Sequence, residues 1–593
     1  MPSFALQNSL KAAETRVNSE ARPDAPWGAQ WGLQIEPPLR LADADRHTWD
    51  ESADLVVVGL GGAGVAAALE GVEQGLEVIA LDRYDGGGSS AANGGIYYAG
   101  GGTAIQREAG EQDSVEEMYK YLHIEVGGVV SDQTLRRFCE ESVATVDWMI
   151  GHGVKLNSKV WKEKTSYPPL DYFLYHPDSS LAAPYARQAK PAARGHRVYA
   201  RNGKKAWGLG VGIWAPLRDA AVKLGLRFHR YAEVRQLALD ASGRVLGVKA
   251  LQIPAGSPEA ERFGRYSAQA AKWIAALPPS FPLAWLTYTI GRWYLGRAQR
   301  LEAQHRQPRW FRARRGVVLS AGGFIMNPQM VRHYAAPYSS GLPNGTLGDT
   351  GSGIVLGTSA GGALDLMGRI SAWRFINPPK AWAQGMLLNQ RGERFVNETL
   401  YGASLGDAIV EKQNGKAWIV LDARLRKQAF QQARDPKIVP FQRDVAMLNL
   451  LFNCHKAPTL DALADRIGFD RDTLRRTVDS YNRSARGEQA DPLEKRIDEM
   501  AQIAEGPFYA IDASVDSRLL PMATMSIGGL KVDEASGLVL DADGKPIPGL
   551  YAAGRNAVGV CSNIYVSGLS YSDCVFSGRR AARHMAATVQ ACK

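Results

Sequence analysis

Cysteine is scarce: Cys139, Cys454, Cys561, Cys574 and Cys592 are the only five in 593 residues, and no two form a C-x-x-C pair. That spacing gives no basis for a metal site or a redox disulfide, and so few thiols in so long a chain suit a reducing compartment. Long apolar runs are missing too. No uncharged, uninterrupted apolar run reaches the roughly 18 residues expected of a membrane-spanning helix, and the polar segment Met1–Asp50 lacks the apolar stretch of a secretory signal. The expectation is a protein working on the cytoplasmic side. The chain has no internal repeat and no low-complexity tract, which excludes solenoid and fibrous classes.

What is present is an ordinary globular composition, 45% hydrophobic and 22% charged residues. The length allows two to four domains at about 100–200 residues each. The 62 glycines fall in clusters, as backbone that must approach a ligand closely requires. The first cluster carries the clearest motif. Ala53–Val58 reads as a buried parallel strand, Val65–Gln74 as a helix and Glu77–Leu81 as a second strand ending at Asp82. Between strand and helix lies Gly59-Leu60-Gly61-Gly62-Ala63-Gly64, a G-x-G-x-x-G turn. Its glycines permit a tight turn beside a pyrophosphate, and the helix aims its first amides at that negative charge. Asp82, followed by Arg83, is placed to accept from ribose hydroxyls. A second polar loop, Gly86–Gly95, follows at once. A nicotinamide dinucleotide needs no such loop. A flavin dinucleotide does, because its pyrophosphate and ring system continue past the first turn. Ser89, Ser90, Asn93, Gly94 and Gly95 are the candidate contacts, and FAD is the cofactor expected.

Further along, Phe228–Leu237 and Val245–Leu251 read as a strand pair turning through Asp240–Gly243, Leu217–Leu224 as a helix started by Pro216, and Gly316–Ser320 as another buried strand. With these in place the chain resembles the fumarate reductase/3-ketosteroid dehydrogenase flavoproteins from about Ala53 to the C-terminus. The resemblance rests on Val58–Gly64, Leu319–Phe324, Gly392–Glu398, Met525–Asp533 and Pro548–Gly554, in that order. It implies an α/β fold: a bipartite Rossmann-like FAD-binding domain with an inserted α+β substrate domain. The expected division is an N-terminal extension over 1–50, the first FAD-binding part over 51–325, the substrate domain over 326–508 and the second FAD-binding part over 509–593. It also implies that Tyr231–Val234 (with Glu233), Ala321, Gly322, Gly323, Asp349, Ala553, Gly554, Arg555 and Gly568–Ser570 (with Leu569) line the cofactor. Relatives that attach FAD covalently use a His near the Gly/Ser loop. None lies between Leu55 and Glu108, so non-covalent FAD is implied.

The substrate class follows from three departures. Fumarate enzymes clamp two carboxylates with Arg and His. Here Asn397-Glu398 is followed by Thr399–Ala403 with no Arg, Met522-Ala523 precede Thr524 where a His is expected, and the C-terminal loop reads Asn563–Gly568 without its Arg. The ketosteroid dehydrogenases place a tyrosine after the Asn-Glu pair and another in the C-terminal loop, and Tyr401 and Tyr565 match. The 1,2-desaturating branch has Pro-Gly after the second tyrosine. Val566-Ser567-Gly568 resembles instead the branch that oxidises C4–C5 of 3-keto-5α-steroids; C1–C2 oxidation is the alternative, and after it a fumarate-type reductase or a non-catalytic membrane-surface electron carrier. Tyr565, with Tyr401 and Ser567, is implied as a proton relay with a lowered phenol pKa, and amides near Gly568 as polarisers of the C3 ketone. Tyr167, Tyr172 and Tyr175 are lesser candidates for the pocket wall. The implied partners are a steroid 3-ketone and an electron acceptor, a quinone or other.

One stretch has no counterpart in relatives. Between Ile253 and Arg315 stand eleven Lys/Arg against three Glu, part of a net charge of +10. Its centre, Trp273–Leu295, holds three Trp, two Tyr and one Phe, broken by Pro278, Pro279 and Pro282. Aromatics prefer the lipid interface and basic flanks favour anionic headgroups. Monotopic membrane attachment through 270–297 is expected, and no nucleic-acid partner.

Overall fold

The computed structural model describes residues 27–202, 205–206, 208–277 and 283–590, with side chains undescribed at 201–202, 205–206 and 588–590. Along the chain, strand β1 (Glu51–Val58), helix α1 (Gly62–Glu73) and strand β2 (Val78–Asp82) form the expected βαβ unit. Strands β3 (Arg227–Arg230), β4 (Ala232–Leu239) and β5 (Val245–Gln252) follow. Next come helices α2 (Pro258–Ile274) and α3 (Ala284–His305), then the long strand β6 (Gln307–Leu319). Near the C-terminus lie β7 (Pro546–Ala552) and α4 (Leu569–Gln590).

Five of these strands lie parallel in the order β3-β2-β1-β6-β7. Leu55 to Val58 are buried, as befits a strand covered on both faces. Helix α4 lies against α1, and Gly578 permits the approach: a Cβ there would stand 2.3 Å from the Ala63 carbonyl oxygen. The first half of β6 also pairs antiparallel with β5, which pairs with β4. The two halves of the cofactor domain, far apart in sequence, thus share one sheet.

The inserted unit is α+β. Its antiparallel sheet runs Met386–Leu388, Trp418–Leu421, Phe508–Asp512, Cys454–Ala457. The expected boundary at 508 therefore cuts a strand, and the sheet of this unit extends to Asp512.

Three local expectations change. Tyr231 stands at φ 60 and breaks Phe228–Leu237 into β3 and β4. Pro216 sits inside the helix Val211–Lys223 rather than at its start. The segment expected as an insertion over 253–315 is a helical hairpin, α2 and α3, whose last nine residues already belong to β6. That reassigns its charge. Arg306 pairs with Glu233 and Glu302, Arg309 with Glu51, Arg312 with Asp45, Arg314 with Asp54 and Glu77, and Arg315 with Asp54. These arginines fasten β6 to the body and do not flank a free surface. Pro278, Pro279, Phe281 and Pro282 lie outside the described residues. Among the described residues no helix is long and apolar enough to cross a membrane. Of the expected extension, residues 27–50 are described, and Leu39–Arg40 adds a short parallel strand to β4.

Candidate functional site

The C-terminal ends of the parallel strands open into a cleft of about 1360 Å³, its mouth included, where open α/β sheets bind ligands. Of the residues singled out in the sequence, Gly59, Gly61, Gly62, Ala63, Asp82, Arg83, Ser89, Ser90, Glu233, Val234, Ala321, Gly322, Asp349, Gly554 and Arg555 line it. Gly64, Asn93, Gly94, Gly95, Gly323, Leu569 and Ser570 stand behind or beyond it. Gly64 is a packing position, since a Cβ would lie 2.0 Å from the Gly59 carbonyl oxygen. The Asn93 side chain accepts from the Gly95 amide at 2.8 Å, and Tyr167 donates to the Gly94 carbonyl at 2.6 Å. Leu569 is buried in the core at the start of α4.

The turn is held in shape from within. Asp82 accepts from the Leu60 and Tyr84 amides, each at 2.8 Å, one through each carboxylate oxygen. Burial pushes its pKa up and those amides oppose the shift. With the Gly86 amide as a third donor, the carboxylate keeps one lone pair for a ribose hydroxyl. The Ser90 hydroxyl accepts from the Gly62 amide at 3.0 Å, fixing the first turn of α1. Arg83 and Glu233, expected as cofactor contacts, both line the cleft. Arg83 is also ion-paired with Glu233 at 2.9 Å and Glu302 at 3.0 Å. Asp349 gathers Ser89, the Gly323 amide and Arg555, the last at 2.9 Å. The other terminal nitrogen of Arg555, Nη1, is buried without a partner among the described residues. A helix N-terminus for a pyrophosphate, a carboxylate at the ribose position and an unsatisfied guanidinium N–H together fit FAD.

Beyond the Gly94 end the substrate domain meets α4. Trp373, Tyr565, Tyr401 and Phe375 form a closed ring of aromatics, with successive centroids 4.8, 6.5, 6.1 and 6.1 Å apart. Ser567 sits among the tyrosines: Tyr175 donates to its Oγ at 2.9 Å, and its hydrogen bonds oppose in part the rise that burial imposes on the pKa of Tyr401 and Tyr565. The Gly568 amide, expected to polarise a ketone, donates to the Tyr565 oxygen at 3.2 Å. The phenol pKa is also not lowered as expected. Burial pushes Tyr565 up, and the Gly568 and Ser567 hydrogen bonds recover only part of the shift. Lys164 lies 5.4 Å over the Tyr401 ring and donates to the Asp178 carbonyl; burial lowers its pKa to about 8.

Trp373 and Phe375 were missed in the sequence. Their signal is the alternation Trp-x-Phe at the end of the strand Ile370–Trp373, which puts both rings on one face. Tyr175 was named only as wall, yet it is fully buried and bonded to Ser567. The Gly392–Glu398 motif proves architectural. Arg394 forks onto Glu398 at 2.9 and 2.8 Å, and Lys495 joins at 3.1 Å, beneath the site rather than in it.

Comparison with known proteins bears on both halves. A family model described as "FAD binding domain" matches residues 54–568. A 3-oxo-5-alpha-steroid 4-dehydrogenase from Comamonas testosteroni is 37% identical over 522 residues, covering 87% of this chain and 95% of its own. A 3-oxosteroid 1-dehydrogenase from Mycolicibacterium smegmatis is 27% identical, over 91% of this chain and 98% of its own. Among solved structures, the 3-ketosteroid-delta4-(5alpha)-dehydrogenase of Rhodococcus jostii, in complex with 4-androstene-3,17-dione, superposes with a TM-score of 0.75 at 29% identity, covering 93% of this chain and 99% of that one. The chain belongs to the FAD-binding-domain flavoproteins, in the branch that holds the ketosteroid dehydrogenases.

Proposed function

We propose that this protein is an FAD-dependent 3-ketosteroid dehydrogenase that introduces the C4–C5 double bond of 3-keto-5α-steroids. The observation that carries the reading is the Tyr565–Ser567 hydroxyl pair set in an aromatic ring that includes no Arg or His. Such a wall suits a flat, neutral, apolar skeleton, and the single Lys164 over the Tyr401 ring is not the paired clamp that two carboxylates need. FAD held in the cleft supplies the acceptor for the hydrogen leaving C5. The protein's own task is the proton on C4, acidified by the neighbouring ketone. Tyr565 takes it, because its oxygen already receives the Gly568 N–H, which favours the developing phenolate. Ser567 and Tyr401 complete the set, Ser567 supporting Tyr565 and itself held by Tyr175. The 4-dehydrogenase relatives support C4–C5 chemistry; the 1-dehydrogenases make C1–C2 oxidation the alternative. Product identification decides between them. Turnover of a 3-keto-5α-steroid with an artificial electron acceptor is expected to give the 4-ene. Turnover of a 3-keto-4-ene to the 1,4-diene, with the 5α-ketone untouched, would reverse the assignment.

A pH profile follows from the upward shift of Tyr565. A base must be deprotonated, and a raised pKa leaves little phenolate at neutrality. The rate of flavin reduction is therefore expected to climb with pH, by up to about tenfold per unit, through the alkaline side. A profile already flat near neutrality would contradict this role.

The same reading includes attachment to a membrane surface, where apolar steroids partition and a quinone acceptor is at hand. The end of the α2–α3 hairpin exposes Leu283 (61%), Trp285 (68%), Leu286, Tyr288 and Trp293. Arg265, Lys272 and Arg300 are exposed and have no ion pair among the described residues. With Arg306 to Arg315 bound to the body, the apolar contribution leads and each remaining basic residue adds about 1 kcal/mol. Flotation with anionic liposomes is expected to be lost on replacing Trp285 and Trp293 together by Ser, and to weaken only partly in high salt. Equal flotation of both proteins, or none by either, removes the membrane from the account.

A further inference from the structure

The hairpin has a second, inward face. Ser267, Ala268 and Ala271 of α2 line the same cleft as Asp82, Arg83 and Tyr84. The carboxylate ending the second strand of a βαβ unit reads the adenosine ribose, so this is the adenosine end of the site. Two anchors hold the hairpin there. A Cβ on Gly264 would lie 2.3 Å from the hydroxyl of Tyr231, so α2 sits directly on that ring, whose hydroxyl donates to Asp85 at 2.7 Å. From α3, Glu302 forks onto Arg83 at 3.1 and 3.0 Å.

Ser267 is the telling residue. It is 7% exposed, and its hydroxyl oxygen is buried with no hydrogen-bond partner among the described residues. A buried serine in a helix ordinarily bonds back to the carbonyl one turn earlier. This one does not, and an unsatisfied buried hydroxyl costs about 1–3 kcal/mol. Ser267 lines the cleft beside Ala268 and Ala271, so a partner for its hydroxyl can come only from the cleft side. We propose that the two-helix insertion is the outer wall of the adenosine end of the FAD site, with the Ser267 hydroxyl a direct hydrogen-bonding contact to the cofactor. The insertion then serves two ends: lipid outside, flavin inside.

The proposal rests on the assignment of the cleft to FAD, and its test keeps the two apart. FAD release from the holoprotein is followed by the rise of free-flavin fluorescence after dilution. Ser267→Ala is expected to release FAD about two- to tenfold faster, the range for one lost neutral hydrogen bond, while Ser267→Thr, which keeps the hydroxyl, stays near the unaltered rate. Ala271→Phe places a ring in the cleft from an exposed helix position and is expected to purify without flavin, with the thermal midpoint of the cofactor-free protein unchanged. Release from Ser267→Ala at the unaltered rate, or full flavin in Ala271→Phe, overturns the proposal. Flavin loss in Gly61→Val alongside either result leaves the cleft assignment standing.

Discussion

Tyr565→Phe is expected to bind FAD normally and to lose about 10²–10⁴-fold in the rate at which steroid reduces the flavin, the range for a lost general base. The substitution removes one oxygen and leaves the ring against Trp373 and Tyr401. It also leaves the Gly568 amide without its acceptor, a cost confined to the turn before α4. Since Tyr565 does not line the FAD cleft, flavin content is the control. Ser567→Ala should cost less, because Ser567 acts through Tyr565, and Tyr175→Phe less again. Stopped-flow reduction under anaerobic conditions ranks the three. Near-normal reduction by Tyr565→Phe sinks the assignment of the base.

Gly61→Val is expected to give a folded protein without flavin. The structure separates this glycine from its neighbour in the motif. A Cβ on Gly61 meets nothing nearer than the Gly87 carbonyl oxygen at 3.9 Å, and its φ of −79 suits any residue. The added side chain therefore projects into the cleft, where the pyrophosphate belongs. A Cβ on Gly64 strikes the Gly59 carbonyl at 2.0 Å, so Gly64→Val should damage the packing of α1 on β1 and lower stability as well as flavin content. Absorbance of the purified proteins and their thermal midpoints distinguish the cases. Full flavin in Gly61→Val would mean that the first turn is not a cofactor turn.

The βαβ unit was legible in the sequence because everything that specifies it is local. A valine-rich run, glycines at fixed spacing and an acid at the next strand end all lie within residues 51–82. The two tyrosines of the site were reachable only through family resemblance, since composition cannot single them out among 22. What stayed hidden depends on contacts between distant residues. The hydrogen bond from Tyr175 to Ser567 spans 392 positions and that from Arg309 to Glu51 spans 258. No periodicity announces either. Arg83 and Glu233 both line the cleft, but nothing in the sequence shows that they also pair with each other across the sheet. The basic run misled for the same reason: its count was right, but strand pairing had already committed its second half to carboxylates. Ser267 carries no sequence signal, because its meaning comes from the carbonyl it fails to bond.

The central claim is that a 3-keto-5α-steroid delivers hydrogen to the flavin of this protein, with Tyr565 removing the C4 proton. It is tested most directly by mixing the holoprotein with such a steroid under anaerobic conditions and following the visible absorption of the flavin through a single turnover. The oxidised flavin is expected to bleach, with one equivalent of the 3-keto-4-ene as the product. An unbleached flavin, or bleaching that yields a C1–C2 double bond, would contradict it.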